Sequence, residues 1–291
     1  LKKTVFTGSG TALITPFKDG GGEVDFNFFE TLCEFQIQNH TDALIIAGTT
    51  GESPVLSKDE KNSLFELAVK TADGKIPVIA GTGSNNTQEA VKKSNEAEKK
   101  GVNALLVVTP YYNKCTQEGL IKHYYYIADR VSVPLIIYNV PSRTGVNIQP
   151  ETYKALSEHK NIAAVKEANG NLSSIAETLS LCGDELDVYS GNDDQTVAIN
   201  SLGGKGVISV AANIIPLDMH KMAINGESSA ELQLLYFYLI KELFCEVNPI
   251  PVKAAVEMIW KKEQPLRLPL TEISEKNRDK LKSVLKSYNL I

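Results

Sequence analysis

Pro134-Leu-Ile-Ile-Tyr-Asn139 and Ile162-Ala-Ala-Val-Lys-Glu167 are two apolar runs separated by a stretch that starts a helix at Pro150. Runs this apolar on nearly every residue read as parallel strands covered on both faces, and proline suits the first turn of the helix between them. Six further runs follow the same pattern: Thr11–Thr15, Ala43–Gly48, Pro77–Gly81, Ala104–Thr109, Leu186–Gly191 and Gly206–Val210. Successive runs lie roughly 20–33 residues apart, room for a crossover helix each time. Ser57-x-x-Glu60 and Ser174-x-x-Glu177 read as capping boxes, and Leu120, Tyr124 and Ala128 share one helical face. Eight strand–helix units in unbroken series predict an α/β fold, the (β/α)8 TIM barrel, with an open doubly wound sheet as the alternative. Beyond Asn225 only helical periodicity continues, in Ala230–Glu246, Val252–Lys262 and Ser274–Ser287. The expected division is a catalytic barrel over 1–225 and a C-terminal helical extension over 226–291.

Composition narrows the function. The 291 residues are 43% hydrophobic and 22% charged, enough to bury a large core without disulfide or metal. A net charge of −5 offers no general footprint for nucleic acid and nothing to an anionic membrane. Lys2 and Lys3 resemble the start of a signal peptide, but Gly8, Gly10 and Pro16 interrupt every apolar run behind them. Cys33, Cys115, Cys182 and Cys245 are scattered without a CxxC pair and read as reduced, mostly buried thiols of a cytoplasmic protein.

In a barrel of this kind the chemistry sits where the strands end. Those ends read Thr15-Pro16, Thr49-Thr-Gly-Glu52, Thr82-Gly-Ser-Asn85, Thr109-Pro-Tyr-Tyr112, Tyr138-Asn139 with Arg143 beyond, Lys166-Glu167, Gly191-Asn-Asp193 and Ser209. His40, His123, His159 and His220 all fall elsewhere, so no histidine metal site is expected. Asp193-Asp194 reads as a helix cap rather than a magnesium site, and Gly203-Gly-Lys-Gly206 and Gly81-x-Gly83 read as turns. Lys166 ends an otherwise apolar strand, and Ala164 on the same face leaves room for its stem. Such a lysine can carry its amine out to solvent. Desolvated instead, it is neutral enough to attack a carbonyl and form a Schiff base, an electron sink that needs no cofactor. Tyr138 at the end of the adjacent strand is a candidate acid/base, its phenol pKa lowered by the lysine, or a packing tyrosine. The Gly48–Glu52 turn is either a nest for a small carboxylate or a simple strand exit. Arg143 can grip a second carboxylate or stay solvated.

Gly48-Thr-Thr-Gly-Glu52, Tyr138-Asn-Val-Pro141 and Val165-Lys-Glu167 resemble the hallmarks of the pyruvate-dependent class I aldolases, the superfamily of the dihydrodipicolinate synthases and N-acetylneuraminate lyases. The resemblance runs from Gly10-Thr-Ala-Leu-Ile-Thr-Pro-Phe17 through Thr109-Pro-Tyr-Tyr112 to Asn248-Pro-Ile-Pro-Val-Lys253 and Arg267-Leu-Pro-Leu270. It implies that Lys166 forms the Schiff base with pyruvate and that Tyr138 is the acid/base, linked through Thr49 to Tyr112. Tyr112 would come from a neighbouring subunit, in a homotetramer built as a dimer of dimers. Thr50 would hold the pyruvate carboxylate, Gly191 and Ile208 would line the site through their main chain, and Arg143 would receive the second substrate. Arg143 within Ser142-Arg-Thr-Gly145 resembles the synthases rather than the sugar-acid lyases. It implies L-aspartate 4-semialdehyde as acceptor, 4-hydroxy-tetrahydrodipicolinate as product, and a place in diaminopimelate and lysine biosynthesis, with no metal or nucleotide. A sibling lyase and a non-catalytic binding paralogue are the alternatives. Ser53, Asn85, Glu89 and Tyr111 match the lining of an effector cleft that binds lysine in relatives. Lys58 and Lys61 stand where strongly inhibited relatives have histidines, and Pro54 replaces a small residue. Two extra ammonium groups would repel the inhibitor's own, so lysine feedback is expected to be weak or absent.

Overall fold

The computed structural model describes residues 4–291; Lys2 and Lys3 lie outside them. Eight strands, β1 Gly8–Ala12, β2 Ala43–Ile46, β3 Val78–Gly81, β4 Ala104–Val108, β5 Leu135–Asn139, β6 Ile162–Glu167, β7 Asp187–Ser190 and β8 Gly206–Ser209, form one closed parallel barrel in sequence order. The helices that return the chain are α1 Phe26–Gln38, α2 Lys58–Ala72, α3 Thr87–Glu98, α4 Gln117–Ala128, α5 Pro150–Ser157, α6 Leu172–Cys182, α7 Thr196–Ser201 and α8 Pro216–Ala223. This is the expected TIM barrel, and the open sheet is excluded. No helix among the described residues is long and apolar enough to cross a membrane.

Strand alternation sorts the core into two layers. Leu44, Ile46, Leu105, Val107, Ile137, Val165 and Val188 face the helices, whereas Ile45, Ile79, Leu106, Ile136, Ala164, Tyr189 and Ile208 pack with one another inside the barrel. Phe6 stacks on Tyr189 with ring centroids 4.3 Å apart, and the Tyr189 hydroxyl donates to the Phe6 carbonyl at 2.6 Å. This closes the barrel at the end where the strands begin.

The first strand departs from its apolar run. It occupies Gly8–Ala12, so Thr15 lies beyond it, donating its hydroxyl to the Gly51 carbonyl at 2.8 Å. The Gly8-Ser9-Gly10 segment is poor in apolar side chains because its neighbours leave no room for them. At Gly8 (φ 109°) a Cβ would run into the Asp42 carboxylate, and at Gly10 a Cβ would lie 2.6 Å from Ile45 Cδ1 and 2.9 Å from the Phe6 ring. The Ser57 capping box forms as expected: its hydroxyl accepts from the Glu60 N–H, and Glu60 accepts from the Ser57 N–H. The second box does not form. Asn171 caps α6 by accepting from the N–H groups of Ser173 and Ser174, so Ser174 is already inside the first turn.

Past residue 225 the chain is helical: α9 Ser229–Leu235, α10 Phe237–Glu242, α11 Ile250–Trp260 and α12 Glu275–Ser287. The single helix expected over Ala230–Glu246 is broken at Tyr236 (φ −88°, ψ 4°). From α11, the fully buried Lys253 reaches back to the barrel. Its ammonium meets the Glu52 carboxylate at 2.7 Å and donates to the carbonyls of Thr15 and Pro265 at 3.0 and 2.6 Å. Arg267 adds its backbone N–H to Glu52 at 3.2 Å and lies with Lys253 against the Phe17 ring. Removing one member of such a pair strands the other charge away from water. Lys253→Met therefore lowers the unfolding free energy by about 3–5 kcal/mol. Denaturant titration checks this, and an unchanged midpoint would contradict it.

Candidate active site

Tyr138 and Lys166 are direct cross-strand neighbours on β5 and β6, and Tyr189 on β7 is the next in the row. All three side chains point into the barrel, whose alanines at 43, 104 and 164 leave space around the lysine stem. The Lys166 amine is buried 4.4 Å from the centre of the Tyr138 ring. Burial pushes its pKa down to about 8; Asp193 opposes that shift and Arg143 reinforces it. Of the two sequence readings, the desolvated amine is the one this geometry matches.

Tyr138 corrects an expectation. Burial raises its phenol above the ordinary value, outweighing Arg143 and a hydrogen bond from the Thr49 side chain, both of which lower it. Lysine does not acidify it; the phenol stays protonated and can donate. Thr49 comes from the turn after β2, which closes on itself through Glu52 N–H to Thr49 O and Ser53 N–H to Gly48 O. One of the amides expected to cradle a carboxylate, that of Glu52, is thus spent holding the turn.

Thr50 and Arg143 are joined by a residue that sequence reasoning quoted but gave no role. Asn248, in the extension just before α11, donates its amide to the Thr50 hydroxyl at 3.0 Å, and its carbonyl accepts from the Arg143 guanidinium at 3.1 Å. Ile208 is buried inside the barrel. The Gly191 N–H donates to the Glu167 carbonyl at 2.7 Å, and a Cβ there would meet Ala168 at 2.7 Å. Asp193 is not a helix cap. Its buried carboxylate accepts from the N–H groups of Val210 and Ala211 at 3.1 and 2.8 Å, pinning the turn after β8. On the outward face, Glu167 accepts from Asn139 at 2.9 Å and Tyr153 at 2.6 Å. Burial nevertheless pushes Glu167 up to about 7. That clamp ties β5 to β6 one residue past the Tyr138–Lys166 pair.

Tyr112 is not gathered into this group. It is 91% exposed and held at φ 69°, a left-handed conformation that costs a tyrosine on the order of 1 kcal/mol or more. The effector-cleft residues divide. Ser53, Lys61 and Tyr111 line a cavity of about 270 Å3 together with Thr49, Tyr138 and Arg143. Lys58 and Glu89 line a neighbouring cavity that Lys61 also borders. Lys58 is paired with Glu96 at 2.6 Å, so the repulsion expected of it is largely cancelled; Lys93, unremarked in the sequence, stands beside Lys61 instead. Asn85 contributes its carbonyl to the Asn113 amide at 3.0 Å. His123 is buried, pushed down to about 4 and bonded to Thr87 at 2.9 Å, remote from the lysine's strand end. Among the described residues no three His, Cys, Asp or Glu side chains converge as metal ligands.

A family model described as the dihydrodipicolinate synthetase family matches residues 5–288. The 4-hydroxy-tetrahydrodipicolinate synthase of Alkaliphilus oremlandii is 50% identical, with 99% of this chain and 100% of that protein covered. A solved dihydrodipicolinate synthase from Thermotoga maritima is 45% identical, covers 99% of this chain and 100% of its own, and superposes with a TM-score of 0.96. A solved monomeric dihydrodipicolinate synthase variant is 46% identical, with 99% and 98% covered and a TM-score of 0.96.

With its amine near 8, Lys166 is about one-tenth neutral at pH 7 and about nine-tenths neutral at pH 9. The rate at which borohydride captures a keto acid on it should rise with pH through a midpoint near that value. Asp193→Asn removes the carboxylate that holds the amine's pKa up, so the midpoint moves to lower pH. A midpoint at the ordinary lysine value of 10.5 would contradict the burial argument.

Proposed function

The chain belongs to the dihydrodipicolinate synthetase family, and on that premise we propose that Lys166, Tyr138 and Thr49 are its catalytic residues. The protein is a lyase that condenses pyruvate with L-aspartate 4-semialdehyde to 4-hydroxy-tetrahydrodipicolinate, in diaminopimelate and lysine biosynthesis. The observation that carries the residue assignment is the buried Lys166 amine 4.4 Å from the Tyr138 ring, with Thr49 bonded to the same tyrosine.

The neutral amine attacks C2 of pyruvate, and the carbinolamine loses water once Tyr138 has protonated the departing hydroxyl. The iminium withdraws electrons from C3, which gives up a proton to become the enamine carbon. That carbon attacks the aldehyde, and the new alkoxide takes a proton. The acceptor's own amino group then adds to C2 and expels Lys166, closing the ring and regenerating the free amine. Every proton moves through side chains or water, so the route calls on no metal or cofactor.

Thr50 holds the pyruvate carboxylate, and Arg143 takes the carboxylate of the semialdehyde in bidentate fashion. Asn248 supports both assignments, because one side chain and its carbonyl fix the two groups relative to each other. An uncharged sugar aldehyde as acceptor would offer Arg143 no second carboxylate to hold. Gly191 and Ile208 complete the lining through their main chain. Tyr112, exposed on a strained turn, extends the Thr49–Tyr138 relay in a neighbouring subunit, and the assembly is a dimer of dimers. The reading also divides the chain at 225/226 and places it in the cytoplasm, where its four free thiols are at home.

Borohydride with pyruvate attaches a reduced three-carbon adduct to the peptide containing Lys166. Its absence by mass mapping would sink the mechanism. Tyr138→Phe lowers kcat by about 10²–10⁴ while adduct formation on Lys166 persists at a reduced rate. L-lysine inhibits weakly or not at all, since Lys61 and Lys93 face its ammonium across the cleft; strong inhibition at low lysine in a steady-state assay would refute this.

A further inference from the structure

Ring closure leaves one proton without an acceptor. The amino group of the semialdehyde is mostly protonated at neutral pH, and an ammonium has no lone pair with which to attack C2. The base that takes this proton must stand beside the Lys166 amine, because Lys166 holds C2. Glu52 is committed to Lys253, and Glu167 faces outward to Asn139 and Tyr153. Asp193 remains. It follows β7, whose Tyr189 is the cross-strand neighbour of Lys166, and it is 2% exposed. Its Oδ2 accepts from the N–H groups of Val210 and Ala211, whereas its buried Oδ1 has no hydrogen-bond partner among the described residues. A carboxylate oxygen buried without a donor costs free energy unless a ligand's donor fills the place. Burial raises the Asp193 pKa, against the pull of the two amides, the Ser209 hydroxyl and Lys166. The carboxylate is thus more basic than one in water, and it is fixed before substrate arrives.

Its surroundings match the acceptor. Besides burial, two opposed charges act on the Lys166 amine: Asp193, beyond β7, and Arg143, beyond β5. An anion and a cation flanking one amine are complementary to a carbon that bears both an ammonium and a carboxylate. With its carboxylate on Arg143, the acceptor has its ammonium free for Asp193. Asp193 also borders a cavity of about 530 Å3 with Gly170, Asn192, Asp194 and Gln195, bounded by Phe237 and Lys241 of α10.

We propose that the open Oδ1 of Asp193 receives the α-ammonium group of the semialdehyde and takes its proton, making Asp193 the base of ring closure and the residue that selects an α-amino aldehyde as acceptor. This role rests on the condensation with the semialdehyde. Once the carbon–carbon bond has formed, one N–H proton passes to Oδ1 and frees the nitrogen lone pair. That pair forms the N–C2 bond while the iminium π pair moves onto the lysine nitrogen. A second proton shifts from the substrate nitrogen to the lysine nitrogen, the bond from C2 to the lysine breaks, and Lys166 leaves as the neutral amine. The cyclic iminium and Asp193 then each release a proton to water.

Asp193→Asn tests this with little disturbance to the fold. The amide oxygen can still accept from Val210 and Ala211, while the NH2 group stands at the open position and cannot take a proton. At saturating acceptor, kcat with aspartate semialdehyde falls at least about 100-fold. Borohydride added during turnover then traps on Lys166 of the variant pyruvate joined to the whole semialdehyde, the open-chain intermediate that fails to close. Succinic semialdehyde keeps the aldehyde and the carboxylate but lacks the amino group. Its open-chain adduct on Lys166 forms no more slowly in the variant than in the wild type. That comparison removes the effect of Asp193 on the lysine's own pKa, which both acceptors feel alike. An unchanged kcat, an equal slowing with both acceptors, or a pyruvate adduct alone in the variant during turnover would overturn the proposal. If wild-type Lys166 takes no adduct from pyruvate, the functional reading fails and the proposal falls with it.

Discussion

The ion pair between Lys253 and Glu52 is the interaction on which the rest of the site hangs. Both side chains are buried, and burial, reinforced by Arg267, pushes the lysine down to about 8 even though Glu52 opposes the shift. The pair persists because the charges also meet carbonyls, an amide N–H and the face of Phe17. Glu52 ends the turn that presents Thr49 and Thr50, and it sits at φ 52°, a conformation the turn would not hold without support. Lys253 belongs to α11, far along the chain. One pair therefore fastens the C-terminal extension to the hydroxyl-bearing turn, and Asn248, five residues before Lys253, reaches Thr50 and Arg143 from the same anchored segment. The extension thus sets the distance between Thr50 and Arg143.

Closure of the barrel does the corresponding work for the lysine. A sheet closed on itself has no edge through which water reaches the strand end, so the Lys166 amine loses hydration that no neighbour fully replaces. Asp193, held by the turn after β8, keeps the amine from falling further, and Arg143 pushes the other way. Successive residues on β5 and β6 divide the labour. Tyr138 and Lys166 point into the barrel, while Asn139 and Glu167 point outward and clamp the strands through Tyr153.

Charge is distributed unevenly around this interior. The molecule as a whole is acidic, with a net charge of −5, yet the charged residues that line the cavity above Tyr138 are all cations. Attraction for carboxylates is local, set by which side chains face the cavity and where the neighbouring glutamates find partners.

How much of this was legible beforehand follows from what each feature depends on. Eight apolar runs at even spacing determined the barrel, because period and length are local properties of a chain. Lys166, Tyr138, Thr49 and Arg143 were legible as candidates because they stand where runs end. The first strand was misplaced because its glycines answer steric demands from Asp42 and Ile45, residues more than thirty positions away that only folding brings alongside. Asp193 looked like a cap because its sequence neighbours begin a helix, whereas its partners are amides after β8. Asn248 and Lys253 stood in a recognisable motif that named no role for them, and Lys93 had no local signature at all. Sequence by itself determined the elements, their order and the reactive groups at their ends. Tertiary structure alone decided the direction of the lysine and tyrosine pKa shifts, the bridge across Thr50 and Arg143 and the gathering of Lys61, Lys93 and Arg143 at one cavity, because desolvation and charge pairing depend on atoms that only folding brings together.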